Sequence, residues 1–358
     1  MIPYEGWNRE YQENRDKYIE LFDRFMSQSS YENAEFFENS IAEYTGRKYA
    51  VSVASATDAL YFSLLAHGVG PGDEVLVTDF SWISTSSCIS MVGATPVFCD
   101  IDIDSYHISI DSIKRMYSPR VKALIYTHLF GNMTDTAEIE QFCKQNNIAL
   151  IEDAAQSLGS SLDGRKAGTI GDSSSFSFNT NKVIAGINGG GVYLTDDETN
   201  AEYVKKLRRH GKDKDFELLG YNSRMYTLNA EIIHLRMQSM LENQNKRQDI
   251  AETYRLHFEQ LPVIVQQPHK KLVHNFHKYV IRLDSNKTRN NIRQSLNGSV
   301  HYETPLSKNT MYNTIKHRRD SCINADKVSS TVISLPIHAW LQNEEIKTVT
   351  DAVKLNII

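Results

Sequence analysis

Through its first two thirds the chain alternates short apolar runs with stretches whose apolar residues recur every three or four positions. Residues 49–53, 74–77, 96–99, 123–126 and 148–151 read as strands buried on both faces, because each is a nearly continuous apolar run of strand length. Helical stretches separate most of them. In one, Asp135 stands as an N-cap with Glu138 three residues on, and Ile139, Phe142 and Cys143 then share a face. The alternation predicts an α/β fold with a large, mostly parallel central sheet flanked by helices. Such sheets bind ligands at the carboxyl ends of their strands.

The order changes after Gly191. A strand at 192–194 precedes a helix over 198–209 that Gly211 stops, and 228–261, free of Pro and Gly, reads as a long helix or a helix pair. Beyond it, strands at 278–282 and 332–335 mix with helices at 288–296 and 344–354, the pattern of an α+β unit. The division expected is a large α/β domain over residues 1–235 and a small C-terminal α+β domain over 236–358.

Composition narrows the function. With 358 residues, 41% of them apolar and 23% charged, the chain can bury a substantial core. A net charge of −5, with basic residues scattered, offers no footprint for nucleic acid or an anionic membrane. Cys88, Cys99, Cys143 and Cys322 lie far apart without paired-ligand spacing, so reduced thiols and no metal site are expected. With no apolar run of membrane length and no signal-like amino terminus, the expected location is the cytoplasm.

The chemistry concentrates between 149 and 191. The run Ala149-Leu150-Ile151 leads into Glu152-Asp153-Ala154-Ala155-Gln156; then come Ser177-Phe178-Asn179-Thr180-Asn181-Lys182 and Gly189-Gly190-Gly191. An acid at a strand end and a lysine on a glycine-flanked loop are what pyridoxal phosphate requires. The carboxylate keeps the pyridine nitrogen protonated, and the amine takes the aldehyde. Upstream, Ser55-Ala56-Thr57-Asp58 opens a helix after a strand, where amide N–H groups and the helix dipole converge on any phosphate placed there. Trp82 follows another strand on the same rim, in position to stack on a flat ring. Gln156 is spaced to hydrogen-bond the ring's phenolic oxygen, and Ser177 to add a hydroxyl at the phosphate. Taken singly, each signal has an ordinary reading: Ser55 or Thr57 as an N-cap, Trp82 as core, Asp153 as a strand-end cap, Lys182 as a solvated surface group. Their order and spacing together carry the inference.

Further stretches point the same way, among them Gly70-Pro71-Gly72-Asp73-Glu74-Val75, His128-Leu129-Phe130-Gly131, Gly220-Tyr221-Asn222-Ser223-Arg224, His301-Tyr302 and Pro305-Leu306. On these motifs the chain resembles the DegT/DnrJ/EryC1/StrS family of sugar aminotransferases, a branch of the fold-type I pyridoxal phosphate enzymes. The resemblance implies Lys182 as the Schiff-base lysine, Asp153 as the pyridinium partner, Gln156 as the ring-oxygen contact and Trp82 as the stacking ring. Ala56, Thr57 and Ser177 would hold the phosphate. Asn222 would reach the phosphate of the neighbouring subunit, which implies a homodimer with shared active sites. Sugar contacts are expected from His301, Tyr302 and Ser307 of the same chain, and from Arg224 of the partner subunit.

The implied reaction is ping-pong. L-Glutamate gives up its amine and leaves as 2-oxoglutarate, and a nucleotide-linked 4-keto-6-deoxy sugar then takes the amine, for polysaccharide or glycoconjugate synthesis. The same reaction on a 3-keto sugar is the runner-up. A catalytically silent pyridoxal-phosphate-binding regulator is the alternative of another class. A subgroup that dehydrates its sugar carries His in place of the lysine, and Lys182 sets this chain apart from it.

Overall fold

The computed structural model describes residues 2–27, 34–266, 269–296 and 298–357. An eight-stranded sheet forms its centre. The strands are β1 (Tyr49–Val53), β2 (Glu74–Thr78), β3 (Thr95–Cys99), β4 (Val121–Thr127), β5 (Ala149–Asp153), β6 (Ser173–Ser177), β7 (Gly191–Thr195) and β8 (Arg318–Arg319). In space they run β1-β7-β6-β5-β4-β2-β3-β8. Only β7 opposes its neighbours in this sheet; the other pairings are parallel. Leu76, Leu124 and Leu150 pack into one apolar cluster, whereas Val75, Val77, Ile125 and Ile151 pack into another. Successive strand residues point to opposite faces, so a sheet covered on both sides needs apolar residues at every position.

The helices that bear on the site are α1 (Trp7–Met26), α2 (Ala56–Ala66), α3 (Ala137–Gln145), α4 (Thr227–Met237) and α5 (Met240–Phe258). The segment expected as a long helix or a pair is thus a pair. The start of α3 differs from the expectation. Thr136 is its cap residue, the Asp135 carboxylate accepts the Ala137 amide at 2.9 Å, and Glu138 turns outward to Lys114 at 2.5 Å. The reciprocal cap between Asp135 and Glu138 does not form, because each acid has another partner.

A second core gathers Ile250, Tyr254 and Phe258 of α5 with Ile281, Ile333 and Val349. A three-stranded sheet of Ile264–Val265, Tyr279–Arg282 and Val332–Leu335 underlies it. Among the elements outside the sequence pattern, two tie distant parts of the chain together. One is α1, whose buried residues are Glu10 and Leu21. The other is β8, which returns from the C-terminal third to pair with β3. Among the described residues, no helix is long and apolar enough to cross a membrane.

Candidate active site

The carboxyl ends of β1, β5 and β6 open on one cavity of about 640 Å³. Its first end is the entry to α2. Ser55 is extended (φ −158°, ψ 160°) and its hydroxyl accepts the Asp58 amide at 3.1 Å, so Ser55 is the N-cap. Ala56 and Thr57 follow in the first turn, where amides have no acceptor in their own helix. The Thr57 hydroxyl donates to Ser84 at 2.8 Å, and Ser177 closes the same end from β6. The glycine run brings β7 hard against this turn: a Cβ on Gly191 would stand 2.3 Å from the carbonyl carbon of Ser55.

Asp153, the last residue of β5, is 4% exposed. Its Oδ2 accepts the Thr85 hydroxyl at 2.8 Å and its Oδ1 the Ala155 amide at 3.2 Å. Burial pushes its carboxyl above the usual range, against the pull of those hydrogen bonds and of the Lys182 and His128 charges. Lys182 lines the same cavity. Burial pushes its ammonium down to about 8, with Asp153 opposing. No lysine or arginine reaches Asp153 at ion-pair distance among the described residues, so the carboxylate is free to pair with a cationic N–H.

The loop carrying Lys182 is fixed from both sides. Inside, the Lys182 amide donates to the Asn179 carbonyl at 2.9 Å, and Asn229 accepts the Ile187 amide at 2.8 Å while donating to the Gly189 carbonyl at 2.7 Å. Outside, the Trp7 indole donates to the Thr180 carbonyl at 2.6 Å, and Arg236 donates to the Ala185 carbonyl at 2.6 Å. The Arg236 guanidinium lies 4.5 Å over the Trp7 ring.

At the far end of the cavity Gln156 accepts the Phe130 amide at 2.9 Å and donates to the Tyr302 hydroxyl at 2.9 Å. Tyr302 stacks on Phe130 with centroids 5.6 Å apart. His301 and His277 complete this end. Trp82 stands at the rim, 61% exposed, which removes the core reading for it.

The structure therefore brings together Ala56, Thr57, Trp82, Asp153, Gln156, Ser177, Lys182, His301 and Tyr302. Ser307 does not join them. It is buried, its amide and hydroxyl donate to Asp79 at 2.7 and 2.9 Å, and Arg319 donates to its Oγ at 2.7 Å. Its polar atoms are spent on anchoring the end of β2, which leaves nothing for a sugar. Asn222 and Arg224 line a second cavity of about 650 Å³ that shares Ala54, Ile187 and Asn188 with the first. Thr85, Asn229 and His277 escaped the sequence reading. Each comes from a distant part of the chain and sits in no motif of its own.

An uncommitted carboxylate, a lysine with a depressed pKa and a helix entry at the opposite end fit pyridoxal phosphate. Together with the mostly parallel sheet they define a pyridoxal-phosphate-dependent aminotransferase. The model of the DegT/DnrJ/EryC1/StrS aminotransferase family matches residues 10–354, and the chain belongs to that family. It is 31% identical to the UDP-2-acetamido-2-deoxy-3-oxo-D-glucuronate aminotransferase of Pseudomonas aeruginosa, over 88% of each chain. It is 32% identical to the dTDP-3-amino-3,6-dideoxy-alpha-D-galactopyranose transaminase of Aneurinibacillus thermoaerophilus, again over 88% of each. Among solved structures, S. venezuelae DesV superposes with a TM-score of 0.94 at 26% identity, covering 99% of this chain and 98% of that one. Bacillus subtilis NtdA with bound PMP gives a TM-score of 0.87 at 25% identity, covering 96% and 82%.

Proposed function

We propose that this protein transfers the amino group of L-glutamate to the ketone of a nucleotide-linked sugar. The observation that carries this reading is the presence of Lys182 and Asp153 in one cavity whose other end is the α2 entry. Bound there, pyridoxal phosphate supplies an aldehyde for amine exchange and an electron sink for the carbanion left when a proton departs.

The chain's own residues do the rest. Lys182, with its ammonium pushed down to about 8, offers a neutral amine that would take the proton from the donor carbon and deliver it to the carbon that had carried the aldehyde. Asp153 holds the proton on the ring nitrogen. The Ala56 and Thr57 amides, with the Thr57 and Ser177 hydroxyls, hold the phosphate. Gln156 and Tyr302 fix the ring's phenolic edge, and Trp82 covers a ring face.

The leading expectation from the sequence is a ketone at C4 of a 6-deoxy sugar. Both curated relatives described above are named for sugars with the oxo or amino group at position 3, and this favours the 3-keto runner-up. A homodimer with shared sites is part of the proposal. Phe216, Leu219 and Tyr226, 67%, 90% and 74% exposed, flank Asn222 and Arg224 in the sequence, and a second copy would cover such exposed apolar side chains.

The test is incubation of the holoenzyme with glutamate and a panel of nucleotide 3-keto and 4-keto sugars, the new amine being located by NMR. Glutamate turnover without transfer to any of them would overturn the sugar assignment. Bound cofactor whose absorbance ignores glutamate would favour the silent regulator.

A further inference from the structure

We propose that His277, together with His301, forms the subsite that receives the carboxylate of the amino donor. The inference rests on the aminotransferase reading above. His277 lies just before the strand Tyr279–Arg282 and is 4% exposed. Its amide donates to Asn275 at 2.9 Å, but its ring has no hydrogen-bond partner among the described residues and faces the cavity that holds Lys182. His301 faces the same space, with Nδ1 tied to the Ser334 hydroxyl at 2.8 Å and Nε2 left over. Buried polar groups are almost always bonded, so an imidazole left unbonded in a cavity wall awaits a ligand.

Position and charge decide which ligand. In an α-amino acid the carboxylate sits one carbon from the amine, so an amine arriving at Lys182 carries its carboxylate into the groups that surround that side chain. The groups acting on His277 are Lys182 from the glycine-flanked loop, Lys278 next to it in the chain, His301, and Arg247 from α5. All are basic. Of the two carboxylates near them, Glu5 pairs with Lys278 at 3.2 Å, and Asp153 is the one reserved for the ring nitrogen. Lys182 and Arg247 then have no carboxylate at ion-pair distance among the described residues, Arg247 donating only to the Phe276 and Ile337 carbonyls, which leaves this end of the cavity short of one anion.

Burial, with the help of these cations, pushes His277 well below the ordinary histidine value and His301 down to about 3. A neutral imidazole can still donate one N–H to a carboxylate.

The experiment uses holoenzyme and two amines, L-glutamate and n-butylamine, the second having no carboxylate. Saturation of the absorbance change by each amine gives a selectivity ratio. His277→Leu, which has no donor, is expected to lower the glutamate-to-butylamine ratio by about 10- to 100-fold, the effect of losing one or two charge-assisted hydrogen bonds. His301→Leu, expected to act in the same direction, guards against a folding defect peculiar to one variant. A ratio left at the wild-type value by both variants overturns the proposal. A wild-type enzyme that ignores glutamate overturns the aminotransferase reading itself.

Discussion

The Thr85 hydroxyl donates to Oδ2 of Asp153 at 2.8 Å, and the Ser81 hydroxyl stands 3.0 Å behind it. All three side chains are buried, so the bond works on the ionised carboxylate where burial opposes ionisation. Thr85→Val keeps the shape and removes the donor. The variant should bind pyridoxal phosphate about tenfold more weakly, near the net worth of a hydrogen bond to a charged group. Absorbance titration of the apoprotein checks this, and wild-type affinity in the variant would show that Asp153 needs no such support.

Lys182 gives a prediction in pH. With its ammonium at about 8 in place of the ordinary 10.5, roughly a tenth of the side chains are neutral at pH 7 and most are neutral at pH 9. Covalent capture of pyridoxal phosphate by the apoprotein should therefore quicken about tenfold over that interval and then level off. Stopped-flow absorbance measures it. A rate still climbing toward the ordinary lysine value would contradict the depressed pKa. The sign for stability follows: between the two values the unfolded chain holds more protons than the folded one, so this lysine makes the apoprotein more stable as pH rises from about 8 toward 10.5.

Arg236 joins α4 to α1 and to the loop of Lys182 at once. Its Nη2 meets the Glu10 carboxylate at 2.9 Å, with the two side chains 13% and 6% exposed, while its Nη1 holds the Ala185 carbonyl. Arg236→Met would strand Glu10 as a buried carboxylate without a cationic partner, at a cost of about 3 kcal/mol. Urea unfolding of the variant should show that loss. A change under about 0.5 kcal/mol, the size typical of neutral surface substitutions, would mean that α1 is not fastened there.

These contacts also explain what the sequence could and could not reveal. The parallel sheet was legible because β2, β4 and β5 are apolar at nearly every position, a consequence of being covered on both faces. Lys182 and Asp153 were legible because one short stretch of chain carries both, along with the glycines between which the loop turns. By contrast, α1 buries Glu10 and Leu21 rather than an apolar stripe, so its docking through Arg236 and Trp7 left no periodic trace. Ser307 was placed by its neighbours in a motif, and its engagement by Asp79 and Arg319 depends on residues far away in sequence. Thr85 reaches the cavity from the first turn of the helix Ser84–Met91 and His277 from just before the strand Tyr279–Arg282, and no local pattern marks a side chain that matters only once the sheet has formed.

Asn222 and Arg224 supply the test of assembly. Both are exposed, and the cavity they line abuts the Lys182 cavity across Ala54, Ile187 and Asn188. If Asn222 serves the partner's phosphate, Lys182→Ala and Asn222→Asp, each inactive alone, should complement when refolded together. Half of the randomly assorted dimers would be hybrids, and each hybrid would hold one site with both defects and one with neither, restoring roughly a quarter of wild-type activity. If Asn222 acted within its own chain, every site in the mixture would carry one defect and the activity would stay at the level of the separate variants. A different affinity tag on each variant, with the doubly tagged dimer purified from a portion of the mixture before the assay, establishes that the hybrids have formed, so that absent complementation counts against the shared site.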